Sequence, residues 1–173
     1  QAPFAPASTT SSPCSRPTSS VAWHFGCSIF NNSLIAPSVL VNDTIFLSDY
    51  LIVRAFSLDG VQLWNWTLGP PHRLDDVSPA AGGGSVYIGD EVGDFHALDA
   101  ATGEHRWTVS LGSSVWCTAA VASDGTVIAS GDNATLHRLD ASGRTLWATP
   151  LVADVSSAPA LNAAEDTVYV VVA

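Results

Sequence analysis

From about residue 20 onward, short apolar runs follow one another at regular intervals, separated by glycine, aspartate, asparagine and serine. The runs SVYIG, DFHAL and HRWTVSL are rich in β-branched and aromatic side chains, which is typical of strands. No window places apolar residues at helical spacing over ten or more positions. This part of the chain therefore predicts four strands, A to D, over residues 78–81, 85–89, 94–98 and 105–111.

The pattern repeats with a period of about 40 residues. Tryptophans end a similar phrase at intervals of 41, 43 and 40 residues, at Trp23, Trp64, Trp107 and Trp147. A second phrase keeps the same interval and starts at Ala36, Ser78, Thr118 and Ala158. Four short antiparallel strands in a repeat of this length form one blade of a β-propeller. The sequence thus predicts an all-β propeller with three complete repeats, a further D strand near Trp23 and an A–B strand pair from Ala158.

The turn between strands C and D carries an aspartate and a glycine ahead of each tryptophan. We expect the glycine to adopt positive φ and the aspartate to accept hydrogen bonds from the amides of the turn. These pairs are Asp59 and Gly60, Asp99 and Gly103, and Asp140 and Gly143. The tryptophan then lies on the outer strand, where its broad ring covers the gap to the next blade and its N–H finds a partner. We predict this docking role for Trp23, Trp64, Trp107 and Trp147.

The segment from Ala97 to Trp107, A-x-D-x-x-T-G-x-x-x-W, resembles the tryptophan-docking motif of the PQQ-like repeat family, which includes the propellers of pyrroloquinoline quinone dehydrogenases. The copies that end at Trp64 and Trp147 are shorter. The resemblance covers about residues 20–173 and implies a propeller of seven or eight blades, of which about four repeats are present here. Members of the family range from quinone enzymes to scaffolds, so the resemblance implies a fold more than a function.

Composition narrows the classes of partner. The net charge is −10, and the six basic residues are all arginine, so no basic stripe is available to neutralise the phosphates of a nucleic acid. No stretch of 18 apolar residues is present, and we predict no membrane span. The sequence starts at Gln1 without a methionine or a signal peptide, which fits a mature chain or an excised fragment.

Two features favour a secreted glycoprotein. Four N-x-Ser/Thr sequons occur at predicted turns or outer strand positions, at Asn31, Asn42, Asn65 and Asn133. Residues 1–19 are rich in proline, serine and threonine, which predicts an extended arm with the composition of an O-glycosylated stalk, followed by the propeller repeats over 20–173. The alternative for the sequons is that asparagine and threonine are common in turns and at strand ends.

The cysteines and histidines give no metal motif. In an oxidising compartment a Cys14–Cys27 disulfide would hold the arm against the first outer strand. Cys117 is then unpaired, buried on an inner strand, or bonded to a partner outside this sequence, and an odd number of cysteines leaves these alternatives open. No C-x-x-C or H-x-x-x-H is present and the five histidines are far apart in sequence, so we predict no metal site and no cofactor.

One face of the predicted propeller gathers polar residues. The loops from strand D to the next strand A and the turns from B to C emerge on the same side of a propeller. They carry His72, Arg73, Asp75, Asp76, Trp116 and Asp154 in the loops, and Asp49, Asp90, Glu91 and Asp132 in the turns. An acidic rim with an exposed aromatic suits a cation, a sugar or a basic peptide. The alternative is a hydrated turn face whose charges keep the protein soluble.

The resemblance also allows two hypotheses to be compared, a quinone-dependent enzyme and a scaffold without enzyme activity. For a quinone dehydrogenase it implies a disulfide between adjacent cysteines, and the chain has no Cys-Cys pair. Three complete repeats are also fewer than a cofactor-enclosing propeller needs. We therefore predict a non-enzymatic extracellular glycoprotein scaffold or binding module, with a fragment of a quinone-dependent dehydrogenase as the alternative. The expected partners are proteins, a continuation of the chain, or further copies that pair with open sheet edges.

Overall fold

The computed structural model describes residues 38–74 and 77–173 and shows an all-β chain. The predictions made for the following residues concern positions outside the described residues: Trp23, the arm 1–19, Cys14, Cys27, Asn31, Asp75 and Asp76. Three four-stranded antiparallel sheets, which we name blades I to III, follow one another along the chain, each with its strands in sequence order. A two-stranded sheet follows blade III. The predicted fold class, an all-β chain of four-stranded antiparallel blades, is confirmed.

The strand bounds are as follows. Blade I contains β1 (Val39–Val41), β2 (Thr44–Ser48), β3 (Ile52–Ser57) and β4 (Gln62–Thr67). Blade II contains β5 (Ala80–Gly82), β6 (Ser85–Gly89), β7 (Asp94–Asp99) and β8 (His105–Ser110). Blade III contains β9 (Ala120–Val121), β10 (Val127–Gly131), β11 (Thr135–Leu139) and β12 (Thr145–Pro150). The final pair is β13 (Ala160–Leu161) and β14 (Val168–Tyr169). In blade II the second strand has its predicted bounds, and the third and fourth differ from prediction by one residue at the C-terminal end. The first strand starts two residues later and ends one residue later than predicted.

The core lies between blades, because the middle strands of blade II bury side chains on both of their faces. From β6, Val86 and Ile88 pack into a cluster shared with blade I, whereas Tyr87 packs into a cluster shared with blade III. In β7, Leu98 belongs to the first cluster and Phe95 to the second. This is the period-two alternation of a strand, which sends successive side chains into two different interfaces. Blade packing is therefore encoded in middle strands that carry apolar side chains on both faces, as expected for strands covered on both sides.

A bulge precedes the repeated tryptophan in every blade. In blade II, Ala97 pairs with Trp107 and Leu98 with His105, so one extra residue is inserted in the outer strand. Blades I and III show the same shift, with Leu63 and Leu146 as the extra residues. A bulge turns the strand and leaves its extra residue unpaired. Leu63 and Leu146 are accordingly exposed, at 51% and 45%.

The turns between the third and fourth strands follow the predicted chemistry in blades II and III. The Oδ1 atom of Asp99 accepts the amides of Ala101 and Thr102, and Gly103 adopts a φ of 75°. In blade III, Oδ1 of Asp140 accepts the amides of Ser142 and Arg144, and Gly143 has a φ of 85°.

The turn of blade I differs from the prediction. Gly60 has a φ of 80°, but the side-chain acceptor is Oγ of Ser57, which receives the amide of Val61. The prediction for Asp59 is wrong because Ser57, counted back from Trp64, stands where Asp140 stands relative to Trp147. No helix within 38–74 and 77–173 is long and apolar enough to cross a membrane.

Candidate functional site

Loops and turns from all three blades form one continuous layer, which we call the loop face: loops 68–74, 111–117 and 151–155, and turns 49–51, 90–93 and 131–134. Loop 68–74 joins both neighbouring turns, since the Leu74 amide donates to Tyr50 and the Glu91 amide donates to Arg73. Loop 111–117 joins the turns of blades II and III in the same way. The Val115 amide donates to the Asp90 carbonyl, and the Asp132 amide donates to the Ser114 carbonyl. Loop 151–155 contacts turn 131–134 through the bond from the Leu151 amide to Ala134.

Glycines allow this layer to pack closely. An added Cβ at Gly93 would stand 2.7 Å from the Ser113 carbonyl oxygen, and one at Gly131 would stand 2.6 Å from the Ser113 Oγ. Loop 111–117 is thus wedged between the turns of blades II and III. A face held by backbone bonds and close contacts is a rigid platform for the side chains it presents.

The predicted binding residues occupy different environments on the loop face. Half-buried His72 contacts Asp90, with 2.6 Å between Nδ1 and Oδ2. Arg73 lies over the Tyr50 ring at 5.1 Å, and its Nε is 3.4 Å from Glu91. Trp116 and Asp154 are exposed.

Exposed apolar side chains lie among these charges. Val92, Trp116 and Val152 are 45%, 42% and 95% exposed, and all three belong to the loop face. Trp116 stands between Val115, which bonds the Asp90 carbonyl, and Cys117, whose Sγ donates to Val155 at 3.2 Å. The Trp116 and Val152 loops are therefore in direct contact. Two exposed carboxylates lie nearby: the backbone amide of Asp132 donates to the Ser114 carbonyl of the Trp116 loop, and Asp154 is two residues after Val152.

Asp90 is the most enclosed charged group of this face. Its side chain is fully buried at the end of β6. Its Oδ1 accepts three backbone amides, from Val92, Gly93 and Asp94, at 2.8 to 3.0 Å. This network fixes the carboxylate and leaves Oδ2 for other groups, as a buried charge requires.

Two imidazoles meet Oδ2 of Asp90. His72 approaches from loop 68–74, and Nε2 of His96 on β7 lies 3.2 Å away. The Nδ1 of His96 is 2.9 Å from Oγ1 of Thr108, which is 2.8 Å from Nε2 of His105. Trp66 of blade I covers the chain of polar groups, with its ring 5.2 Å from His96 and stacked on His105 at 6.1 Å.

The pKa of Asp90 reflects two opposing influences. Burial is the largest and raises the pKa, because the charged form loses hydration. Hydrogen bonds from His96, from the Asp94 amide and from His72 stabilise the carboxylate and together hold the pKa of Asp90 below its ordinary value. The group is therefore an anion at neutral pH, fixed in place and bordered by imidazoles.

The equivalent positions of the other blades carry different partners. In blade I, Asp49 pairs with the guanidinium of Arg54, which occupies the strand position that His96 occupies in blade II. In blade III that position is His137, whose buried Nε2 has no hydrogen-bond partner among the described residues and whose pKa is lowered by burial. Blade II thus has imidazoles in place of the guanidinium and adds a second carboxylate, Asp94.

The convergence of His72, Asp90 and Asp94 is the feature that sequence reasoning missed. One ligand atom from each of these residues lies within 4.8 Å of the others, which is a spacing that could hold a metal ion. Asp90 and Asp94 are four residues apart, but His72 is 18 residues earlier and comes from another blade connection. No motif with a fixed local spacing predicts such an arrangement. The sequence indicated it only through the expectation that the D-to-A loops and the B-to-C turns lie on the same face.

The tryptophans of blades I and II make matching contacts with the next blade. Nε1 of Trp64 donates to Ala100 at 3.0 Å, and Nε1 of Trp107 donates to Ala141 at 2.9 Å. Each ring lies on a turn glycine, since an added Cβ would be 2.6 Å from Trp64 at Gly103 and 2.8 Å from Trp107 at Gly143. Trp147 is half-buried on β12.

The modification candidates are accessible where the structure describes them. Asn42, Asn65 and Asn133 are exposed, and the Asn133 amide donates to Leu111 at 2.8 Å. Cys117 is a free, half-buried thiol. Burial, and then the charge of Asp132, raises the pKa of this thiol, so it is a poor nucleophile at neutral pH.

Blades of this length, with the Asp/Gly turn and a tryptophan on the fourth strand, define a propeller built from PQQ-like repeats. The family model described as outer membrane protein assembly factor BamB matches residues 48–173, and the chain belongs to this family. The predicted resemblance to PQQ-like repeats is thereby confirmed.

Individual relatives agree with this assignment. The outer membrane protein assembly factor BamB of Burkholderia pseudomallei is 32% identical over 103 residues, which are 59% of this chain and 26% of that protein. The crystal structure of BamB from Moraxella catarrhalis has a TM-score of 0.60 and 25% identity, over 79% of this chain and 41% of that one. A europium-containing methanol dehydrogenase has a TM-score of 0.55 at 19% identity, over 69% and 26%, which shows the fold alone. The chain thus spans less than half the length of each of these relatives.

Proposed function

We propose that this propeller is a non-enzymatic scaffold that binds protein segments through the loop face. The observation that carries the proposal is the exposure of Trp116 and Val152 on two contacting loops of that face. Tryptophan in a partly enclosed position is the residue type that most often anchors a protein interface. One relative and the matching family model are described as an outer membrane protein assembly factor, which supports a role in binding other proteins.

Charge selects the kind of partner. The chain has a net charge of −10, and Glu91 and Asp154 lie in the same turn and loop as exposed valines. Asp132 lies in turn 131–134, which is hydrogen-bonded to loop 111–117. Glu91 is partly neutralised by Arg73, but Asp132 and Asp154 stand exposed. Complementary charge raises the association rate and disfavours acidic partners. The proposed ligand is therefore an extended segment that combines basic residues with one or two apolar anchors.

Selection from a peptide library tests this proposal. The wild-type chain is expected to enrich peptides with arginine or lysine next to an apolar residue. Trp116→Ala should weaken the selected peptides by about 2 kcal/mol, roughly 30-fold, because it removes a central anchor. Added salt should lower the association rate more than it raises the dissociation rate.

Leu146→Ser is the matched control, since Leu146 is 45% exposed and lies at the bulge of β12, outside the loop face. It should leave binding unchanged. Peptides without a charge bias, or an equal loss from Leu146→Ser and Trp116→Ala, would show that the proposed surface is not the binding site.

The proposal extends to an extracytosolic, glycosylated protein. Its support is the set of sequons, of which the three described asparagines are exposed at a turn or on an outer strand. Mass spectrometry of native material before and after glycosidase treatment is expected to show a mass decrease. An unchanged mass would remove the glycoprotein part and leave the scaffold part standing.

Self-association is the remaining partner hypothesis. Tyr169 and Val171, near the two-stranded sheet, are 61% and 60% exposed, and a second copy would cover them. Sedimentation velocity over a range of concentrations is expected to show reversible association that Tyr169→Ser reduces. The dehydrogenase alternative is not favoured, because the likeness to methanol dehydrogenase shows the fold alone and the matching family model is that of the assembly factor.

A further inference from the structure

We propose that His72, Asp90 and Asp94 bind one divalent ion of the zinc class on the loop face between blades I and II. The inference is independent of the proposed protein-binding role. It starts from the ligand atoms of the three residues, which lie within 4.8 Å of one another. The Nδ1 of His72 is 2.6 Å from Oδ2 of Asp90 and 4.0 Å from Oδ2 of Asp94.

These distances bracket those of a metal site. Zinc bonds of about 2.0–2.2 Å to nitrogen and oxygen place neighbouring ligand atoms roughly 3.3 Å apart in a tetrahedral arrangement. The His72–Asp90 distance has to widen and the His72–Asp94 distance has to close, each by less than 1 Å relative to that spacing. His72 and Asp94 have side chains that are 28% exposed, so both have room to move.

The Asp90 side chain is the ligand of this site that is held most firmly in position. Three backbone amides occupy Oδ1, and the buried side chain presents Oδ2 towards His72. His96 holds Oδ2 from the other side at 3.2 Å and is itself held by Thr108. Outer groups that orient ligands in this way are usual in protein metal sites. His96 is therefore a positioning residue, with its Nε2 proton directed at the carboxylate.

Internal comparison shows why a cation fits this blade. In blade I the corresponding aspartate is neutralised by Arg54 on the third strand. Blade II has an imidazole, His96, at that position in place of the guanidinium, and a second carboxylate, Asp94, next to Asp90. A dication compensates both carboxylates, as the guanidinium compensates one in blade I.

The donor set selects the class of ion. One imidazole with two carboxylates suits zinc and neighbouring first-row ions better than calcium or magnesium, which prefer oxygen ligands alone. The exposed side of His72 and Asp94 leaves one position for water. Because His72 belongs to loop 68–74 and both aspartates belong to blade II, the ion joins the two blades and stabilises their contact.

Zinc titration of the metal-stripped chain tests the proposal, by calorimetry and thermal unfolding at pH 7.5. The expected result is one Zn²⁺ per chain and a raised Tm, with no rise from the same concentration of Ca²⁺ or Mg²⁺. His72→Asn keeps a donor near Asp90 but removes the imidazole, and Asp94→Asn removes a carboxylate. Each should weaken zinc binding at least 10-fold. Asp132→Asn, an exposed turn aspartate of blade III, should bind as the wild type does.

X-ray absorption of the zinc-loaded wild type provides a readout that does not depend on the variants folding. The expected first shell contains nitrogen and oxygen only. Sulfur in that shell would place the ion on cysteine and overturn the proposal. Zinc affinity unchanged in both His72→Asn and Asp94→Asn would do the same, as would a chain that binds no zinc or a Tm raised by Ca²⁺ instead.

Discussion

At the scale of single residues, the contact between a tryptophan and a turn glycine joins one blade to the next. Gly103 serves two requirements together, because its φ is 75° and the Trp64 ring leaves no space for a Cβ. Gly84 has a nearly identical φ of 76°, but no atom in the described part of the chain lies within 4 Å of an added Cβ. A comparison of alanine substitutions at the two glycines therefore distinguishes the cost of backbone strain from the cost of displacing the Trp64 ring.

Gly103→Ala should destabilise the chain more than Gly84→Ala does. At Gly84 the alanine should cost about 1–2 kcal/mol from the left-handed backbone conformation. At Gly103 the same strain applies, and displacement of the Trp64 ring should add about 1–3 kcal/mol. Urea unfolding of both variants measures the difference, and equal losses would mean that the ring does not need the glycine.

Truncation of the tryptophans should give unequal losses. Trp64 is 8% exposed and belongs to the cluster between blades I and II, so Trp64→Ala should cost about 3–5 kcal/mol. Trp107 is only half-buried, so Trp107→Ala should cost less. Thermal unfolding of the two variants checks this order, and a larger loss for Trp107→Ala would contradict the described packing.

At the scale of elements, the turn between the third and fourth strands is stabilised by its aspartate. The hydrogen bond from Arg106, followed by those from the Thr102 and Ala101 amides, lowers the pKa of Asp99 to about 2. Asp140 likewise has a pKa lowered to about 2, chiefly by the hydroxyl of Ser142. A carboxylate whose pKa is lower in the folded than in the unfolded state stabilises the fold above the unfolded value of 3.8.

Acid should therefore remove this contribution. As pH falls from about 4 to 2, Asp99 and Asp140 become protonated and their share of stability is lost. Asp99→Asn should lower the free energy of unfolding at pH 7. It should also make that free energy fall less steeply between pH 4 and pH 2. Asp59→Asn is the control, because Ser57 makes the side-chain bond to the turn of blade I. Urea midpoints from pH 7 to pH 2 measure both, and a decline in Asp99→Asn as steep as in the wild type would contradict the account.

The sequence predicted the elements well, for a physical reason. Strands, turns and the repeat depend on contacts within about 40 residues, and the Asp99, Gly103 and Trp107 spacing carries that information locally. The exception is the turn of blade I, where Ser57 occupies the position that faces the amides and the aspartate, Asp59, comes two residues later. The meeting of His72 with Asp90 and His96 had no local signature, since the residues come from a loop, a turn and a strand.

At the scale of the whole molecule, blades share their cores and present their loops on one side. The strands β5 and β6 of blade II contribute to clusters on both of their neighbours, so the three blades form a continuous stack. The loop face is consequently a common surface of the stack, held by backbone bonds between loops and turns of adjacent blades. Its exposed tryptophan and valine, set among carboxylates, are the basis for the proposed binding of basic protein segments.

Hydrogen exchange of the chain with and without a selected basic peptide tests this central claim most directly. The account predicts slower exchange on binding in residues 112–117 and 151–155, with no change in the outer strands β4 and β8. Trp116→Ala should abolish the protection. Protection confined to the outer strands, or protection of the loops that survives Trp116→Ala, would contradict the claim that the loop face binds the partner.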